Sequence, residues 1–386
     1  MTRNEKNVIP NLFRNLISRR IQKKFFTTTT RRTQNQLIRY LYMKFLFQNC
    51  FGNTTVPIFL CMISFISCAI LKPYETMNLL SGKIICIDPG HGGTASFDNY
   101  RVGLGGEREE WIDLRVALIL KDLLEAKDAR VLLTRTDDVQ VDLKERALLV
   151  VNNKADVFVS IHHNATADRN VNFPIIYYHG NASENQASVQ LGKFVAHRIS
   201  EALFQGNTPV SLVSDHTIFP ESGTAVLRHS YRIPGILGEA SFFSNPEEEQ
   251  RLKDEKYNLK EAQAYLKALE DFFSSKPLPI IVAVGFIRPI KPFQVLQEAE
   301  RMDESAKKWQ EDYVEGKKLF KKGDADSLQK AYELFSRSAK SFPDSYLAGE
   351  CHLFRAKILE KMDKKNEAEE EFRRVKEYYV KATLTN

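Results

Sequence analysis

The chain has 386 residues, room for two or three domains of about 100–200 residues each, and is 43% hydrophobic, 11% aromatic and 27% charged. That composition excludes wholesale disorder, a collagen-like chain and a disulfide-stapled miniprotein. The net charge of +6 is lopsided: residues 1–54 carry 11 Lys/Arg against one acid, Glu5, and the remainder carries 44 basic against 48 acidic residues. The body is therefore mildly acidic, and no nucleic-acid partner is expected of it.

Residues 1–54 are predicted to be a basic extension, disordered or the product of an over-extended start; Met1 and Met43 both remain as starts. Residues 55–71 contain the apolar run 56–71, 16 residues without a charge. That is short for a membrane span, which needs about 20, and close to the length of a signal-peptide core. Cys68, in Phe65-Ile66-Ser67-Cys68, lies where a loose lipoprotein processing site would place it. Lipidation at Cys68, plain signal cleavage and an uncleaved membrane anchor stay open, and all three send the body to the cell envelope, periplasmic or exported. Of five cysteines only Cys86 and Cys351 lie beyond this region, which leaves no disulfide framework.

Over residues 81–275, short apolar runs at 83–87, 130–133, 157–161, 175–178 and 236–237 alternate with amphipathic stretches near 111–126, 142–153, 187–204 and 259–273. This order predicts an α/β layer fold with a largely parallel or mixed sheet flanked by helices. Residues 276–292 are proline-rich and are predicted to be a linker with one extra strand at 279–286. Residues 293–386 carry only helical patterns, predicting a small all-α region. There Tyr313-x-x-Gly316-x-x-x-Phe320 is echoed by Tyr346-x-x-Gly349-x-x-x-x-Phe354, and Ala331-x-x-x-Phe335 by Ala368-x-x-x-Phe372. The echo resembles a pair of tetratricopeptide repeats and predicts a protein partner; a plain helical extension is the alternative. As a separate module, it is expected to be removable with the chemistry left largely intact.

Three polar positions follow strand-like runs. His91 sits on the turn Asp88-Pro89-Gly90-His91-Gly92-Gly93, His162 opens His162-His163-Asn164 after Val157–Ile161, and Glu239 follows Ile236-Leu237-Gly238. Open α/β sheets place their sites beyond the carboxyl ends of strands. Glu109 shares a helix face with Ile112, Val116 and Leu120, which points it at the same edge; Glu107 and Glu110 fall off that face and are expected to be solvated. Two imidazoles, a carboxylate and an open position make a hydrolytic zinc arrangement, and a second carboxylate is then free to move a proton. Asp88 is expected to buttress a ligand histidine, and His163, Asn164 and His179 are candidates for the substrate groove. The long segment 206–233 is expected to form a groove wall, a cover or a plain surface excursion.

Taken together, Ile87–Gly93, Glu109 with Leu114, Ser160-Ile161-His162-His163-Asn164-Ala165, and Gly238-Glu239 with Ser244-Asn245 strongly resemble the zinc-dependent N-acetylmuramoyl-L-alanine amidases of the amidase-3 type. Leu133-Thr134-Arg135, Leu143 with Arg146, and Val226-Leu227-Arg228 match in the same order over about residues 83–273. The resemblance implies Zn2+ held by His91, Glu109 and His162, with Glu239 as the catalytic glutamate. It further implies peptidoglycan as substrate, cut at the amide between muramic acid and L-alanine. One departure is that Ser241 stands where the family commonly has glycine. The alternative is a catalytically silent peptidoglycan-binding or scaffolding envelope lipoprotein.

Overall fold

The computed structural model describes residues 78–96, 101–281, 289–296 and 303–382; the leader, the 56–71 run and Cys68 lie outside these. Seven strands form one mixed sheet. They are β1 (Ile84–Pro89), β2 (Arg130–Leu133), β3 (Val157–Asn164), β4 (Ile175–Tyr178), β5 (Ser211–Ser214), β6 (Gly235–Phe242) and β7 (Tyr379–Val380). Their spatial order is β2-β1-β3-β6-β4-β5-β7. The first four in that order run parallel, β4 runs antiparallel to β6, β5 is parallel to β4, and β7 is antiparallel to β5.

Alternate side chains go to opposite faces of a strand, and here both faces are buried. Ile85, Ile87, Val157, Val159, Ile161, Ile176 and Tyr178 meet α1 (Glu109–Glu125), α3 (Gln186–Phe204) and α6 (Glu255–Ser274). Cys86, Phe158, Ile175, Tyr177 and Leu237 face the other way, toward α2 (Leu143–Asn152) and α4 (Ala225–His229). Helix α5 (Pro246–Leu252) starts from Asn245, whose side chain accepts from Glu247 and Glu248 N–H, a satisfied N-cap with proline in the first turn.

Helices α7 (Glu304–Lys307), α8 (Trp309–Lys322), α9 (Ala325–Ser341), α10 (Ala348–Lys361) and α11 (Lys365–Tyr378) pack in chain order. The aromatic echo lies at their contacts: Phe335 and Phe354 stack 4.8 Å apart, and a Cβ on Gly316 would meet the Phe335 ring at 2.9 Å. These helices do not stand apart from the sheet. Trp309 and Phe342 join the core cluster that holds Phe173 and Phe242, and β7, the residues just after α11, pairs with β5. A module separated by a linker therefore needs revision, because the 276–292 stretch connects two parts that share one core. Of the strand expected at 279–286, Ile280 forms an isolated bridge with Asn185, and residues 282–288 lie outside the described ones. Among the described residues, no helix is long and apolar enough to cross a membrane.

Candidate metal centre

Strand β1 delivers the chain into a turn where His91 takes φ 53° and Gly92 φ 116°. A side chain at Gly92 would also strike the Val139 carbonyl at 2.4 Å, so two independent reasons require glycine there. Two buried arginines hold this turn by its carbonyls. Arg135 donates to Pro89 O and Gly90 O at 3.0 and 2.6 Å. Arg146 donates to Pro89 O and His91 O at 2.7 and 2.5 Å.

Glu109 is the first residue of α1 and is buried. Its Oε1 lies 3.1 Å from His91 Nε2 and 3.1 Å from His162 Nδ1, and the two imidazoles meet edge to face, 4.8 Å between centroids at 86°. Three donor atoms thus converge on one point at the carboxyl ends of β1 and β3. Burial alone would push the Glu109 carboxyl up, but the two imidazoles outweigh it and hold its pKa well below the ordinary 4.5. Burial lowers the His162 imidazole; at His91 burial also acts downward, and Glu109 reverses it into a net rise. Arg101 adds a positive charge, its Nε 3.8 Å from Glu109 Oε2.

Glu239 pairs in register with His162 across β3 and β6, which sets it beside the converging donors at about the 4.8 Å strand spacing. Its Oε2 is buried without a hydrogen bond among the described residues. Burial first, then the negative charges of Glu109 and Asp113, raise its pKa well above 4.5. Ser241 sits within β6, and it is not among the residues of positive φ, so its backbone is ordinary strand and the missing glycine costs nothing in conformation. Beside the site, Val102–Leu104, Ala165–Ala167, Arg169, Phe243 and Ser244 line a groove of about 310 Å³.

Residues 85–271 match the family described as N-acetylmuramoyl-L-alanine amidase. The germination-specific N-acetylmuramoyl-L-alanine amidase of Bacillus subtilis (strain 168) is 31% identical over 214 residues, covering 52% of this chain and 84% of that protein. The chain belongs to the N-acetylmuramoyl-L-alanine amidase family. The probable cell wall amidase LytH of Staphylococcus aureus is 30% identical over 207 residues, and the match spans 51% of this chain and 61% of LytH. The crystal structure of the N-acetylmuramoyl-L-alanine amidase from Clostridium difficile 630 is 30% identical, covers 51% of this chain and 99% of that one, and has a TM-score of 0.44.

Within this amidase-family domain, several expected roles change. Asp88 does not touch a ligand histidine: it accepts from Thr134, Arg146 and Ser160 at 2.5, 2.8 and 2.7 Å. Its register opposite Ser160 accounts for the Ser160 bond, and through Arg146 it supports the His91 turn. His163 does not line the groove. It is fully buried on the opposite face, its Nδ1 2.8 Å from Asp113 and its Nε2 3.1 Å from Glu261. Burial would lower its pKa, but Glu261 and Asp113 outweigh it and raise it well above 6.5.

Asn164 is half-buried and ties the ends of β3 and β6 together, its carbonyl accepting from Phe243 N–H at 2.9 Å. His179 is not in the crevice at all. Strand β4 runs antiparallel to β6, with Ile175 beside Glu239 and Tyr177 beside Leu237, so the end of β4 lies at the opposite sheet edge. The part of segment 206–233 that follows β5 starts and ends at that same edge, away from the converging donors. Glu110 is fully buried and paired with Arg108 at 2.9 Å, and Glu107 pairs with Arg115 at 2.7 Å; neither is solvated. The signal for Asp113 is its place four residues after Glu109, where a helix brings side chains to one face.

Proposed function

We propose that this chain is a zinc-dependent N-acetylmuramoyl-L-alanine amidase of the cell envelope, hydrolysing the amide between muramic acid and the L-alanine of the peptidoglycan stem peptide. The observation that carries this reading is the convergence of His91 Nε2, Glu109 Oε1 and His162 Nδ1, each histidine nitrogen 3.1 Å from the carboxylate oxygen. Two neutral-capable imidazoles and one carboxylate suit Zn2+ and leave room for a fourth ligand. Zn2+ bound there supplies positive charge that polarises the scissile carbonyl.

The chain's own groups do the rest. Arg135 and Arg146 fix the turn carrying His91 so that its ring does not have to be ordered on binding. Glu239, with its pKa raised by burial, is suited to take a proton from the attacking water and pass it to the departing L-alanine nitrogen. Arg169 lines the groove of about 310 Å³, where its positive charge suits an acidic stem peptide. Export by the N-terminal segment accords with a substrate outside the cytoplasm, and the C-terminal helices offer a surface for a protein partner.

The test is metal analysis of the purified chain and incubation with peptidoglycan, following stem peptides that carry a free L-alanine amine. Glu239→Gln is expected to lose at least about 100-fold in turnover with its metal retained, and His91→Ala to lose both. A chain without metal, or release undiminished in Glu239→Gln, overturns the reading.

A further inference from the structure

His179, displaced from the crevice, meets a second set of ligating groups at the opposite sheet edge. Strands β4 and β5 run parallel to each other and against β6. His179 follows the end of β4, and Asp215 and His216 follow the end of β5 in a short 3-10 turn, Asp215–Thr217. Two imidazoles are again presented from neighbouring strand ends, as at β1 and β3 but facing the other way, and here the carboxylate comes from a strand end too. One donor atom from each of His179, Asp215 and His216 lies within 4.8 Å of the others, and the two rings are 5.4 Å apart, tilted by 37°.

The hydrogen bonds fix which nitrogens are free. His216 Nδ1 lies 3.2 Å from the Pro220 carbonyl. A carbonyl only accepts, so that nitrogen carries the hydrogen and Nε2 carries the lone pair of the neutral ring. His179 Nδ1 lies 2.9 Å from Asp215 Oδ2, which likewise leaves Nε2 as the lone pair. Neither Nε2 is hydrogen-bonded among the described residues. Metal-bound histidines characteristically donate their other nitrogen to a carboxylate or a backbone carbonyl, and here one does each.

Asp215 is itself held rigid: it is fully buried, and its Oδ2 accepts from Thr224 N–H at 2.7 Å and Thr224 Oγ1 at 3.0 Å. A side chain at Gly223 would stand 2.5 Å from its oxygens. Tyr231 packs edge-on to His179 at 5.5 Å, and Tyr378, the last residue of α11, stacks on His216 at 5.7 Å.

We propose that His179, Asp215 and His216 form a second metal site, separate from the one at His91, Glu109 and His162. Its two imidazole Nε2 atoms bind a divalent transition-metal ion and Asp215 supplies orientation and negative charge. Imidazole donors select the zinc, cobalt and nickel class over magnesium or calcium. An ion there stiffens the junction of β4, β5 and the end of α11 and takes no part in amide cleavage.

The full chain, with its thiols alkylated and its metal removed by dialysis, is titrated with Co2+. The wild-type chain is expected to take two equivalents, His91→Ala one, His216→Gln one, and the double variant none. Co2+ should also raise the unfolding temperature of His91→Ala but not of the double variant. His216→Gln should keep its amidase activity, so a failed Glu239→Gln test and a failed second site are told apart by different readouts. No equivalent in His91→Ala, or a count unchanged by His216→Gln, overturns the proposal. The first decides it even if His216→Gln does not fold.

Discussion

Tyr177 donates a buried hydrogen bond to Asp344, 2.5 Å away and 167 positions later in the chain. Tyr177 belongs to the sheet of the amidase domain and Asp344 to the turn between α9 and α10. Around this bond Phe342 packs on Phe173 at 5.7 Å and on Phe242 at 6.3 Å, and Trp309 packs on Phe342 at 4.9 Å. The negative charge of Asp344 also contributes to the raised pKa of Glu239, behind burial, Glu109 and Asp113. The helical region reaches the proposed catalytic carboxylate electrostatically and the core physically.

Deleting residues 293–386 is accordingly expected to damage the amidase domain, the reverse of what the linker-like 276–292 stretch predicts. Uncovering Phe173, Tyr177 and Phe242 forfeits about 1.5–3 kcal/mol for each side chain returned to water. A loss of about 3 kcal/mol alone lowers the unfolding temperature by about 6–12 °C in a domain of this size. Thermal unfolding of the truncated and full chains measures this, and equal midpoints would show that the helices are merely appended.

Gly90 is required by close approach. A Cβ there would lie 2.4 Å from His162 Cε1, 2.5 Å from His162 Nδ1 and 2.7 Å from Asp113 Oδ2. Gly90→Ala is expected to push the His162 ring off the common point, reducing metal affinity at least about 10-fold while the fold persists. Metal titration alongside circular dichroism checks both halves; unchanged affinity counts against His162 as a ligand.

The buried chain Asp113–His163–Glu261 joins α1, β3 and α6. Burial raises Asp113 to about 7, with the negative charge of Glu109 adding to that rise and the His163 hydrogen bond opposing it. Glu261→Leu leaves the buried His163 Nε2 without its carboxylate, with Asp113 alone still paired; breaking a buried charge pair from one side costs about 3–5 kcal/mol. Denaturant unfolding should show that loss, and a cost under about 1 kcal/mol would mean His163 is neutral.

Acid should loosen the C-terminal helices. His352 is fully buried, and burial holds its pKa below the ordinary 6.5 despite the opposing Glu371. The unfolded imidazole takes a proton as pH falls below 6.5 and the folded one does not, so stability present above 6.5 is lost on acidification. Glu371 is depressed from 4.5 by His352 and Arg355 against the burial that would raise it, and it adds a loss of the same sign at lower pH. Replacing His352 by Leu is expected to flatten the fall in unfolding temperature between pH 7 and 5. An unchanged slope would place the titration elsewhere.

Strands β1, β3 and β6 were legible because each is a continuous apolar run ending in a polar residue, and the edge they share follows from parallel α/β topology. Position along the helix made Glu109 legible. The direction of β4 was not, since alternation identifies a strand without its sense, and a reversed β4 is what carries His179 to the wrong edge. Ser211–Ser214 has two apolar residues between serines, too little to stand out from the loop around it. Glu110 looked solvated because the helix stripe counts only the face toward the sheet, whereas Arg108 and Thr94 bury it from the side. The partners of Asp88 follow from strand register and from Arg146 on α2, neither of which is written in local pattern.

Strand β7 is two residues long, yet it occupies the outer side of β5. Open sheet edges recruit other chains, and proteins blunt them with short, capped strands. By pairing Val380 with Leu212 and Tyr379 with Val213, β7 covers two of the four residues of that edge. Strand β7 is also the last strand in chain order, so the outer side of β5 is covered only once all the C-terminal helices have been made.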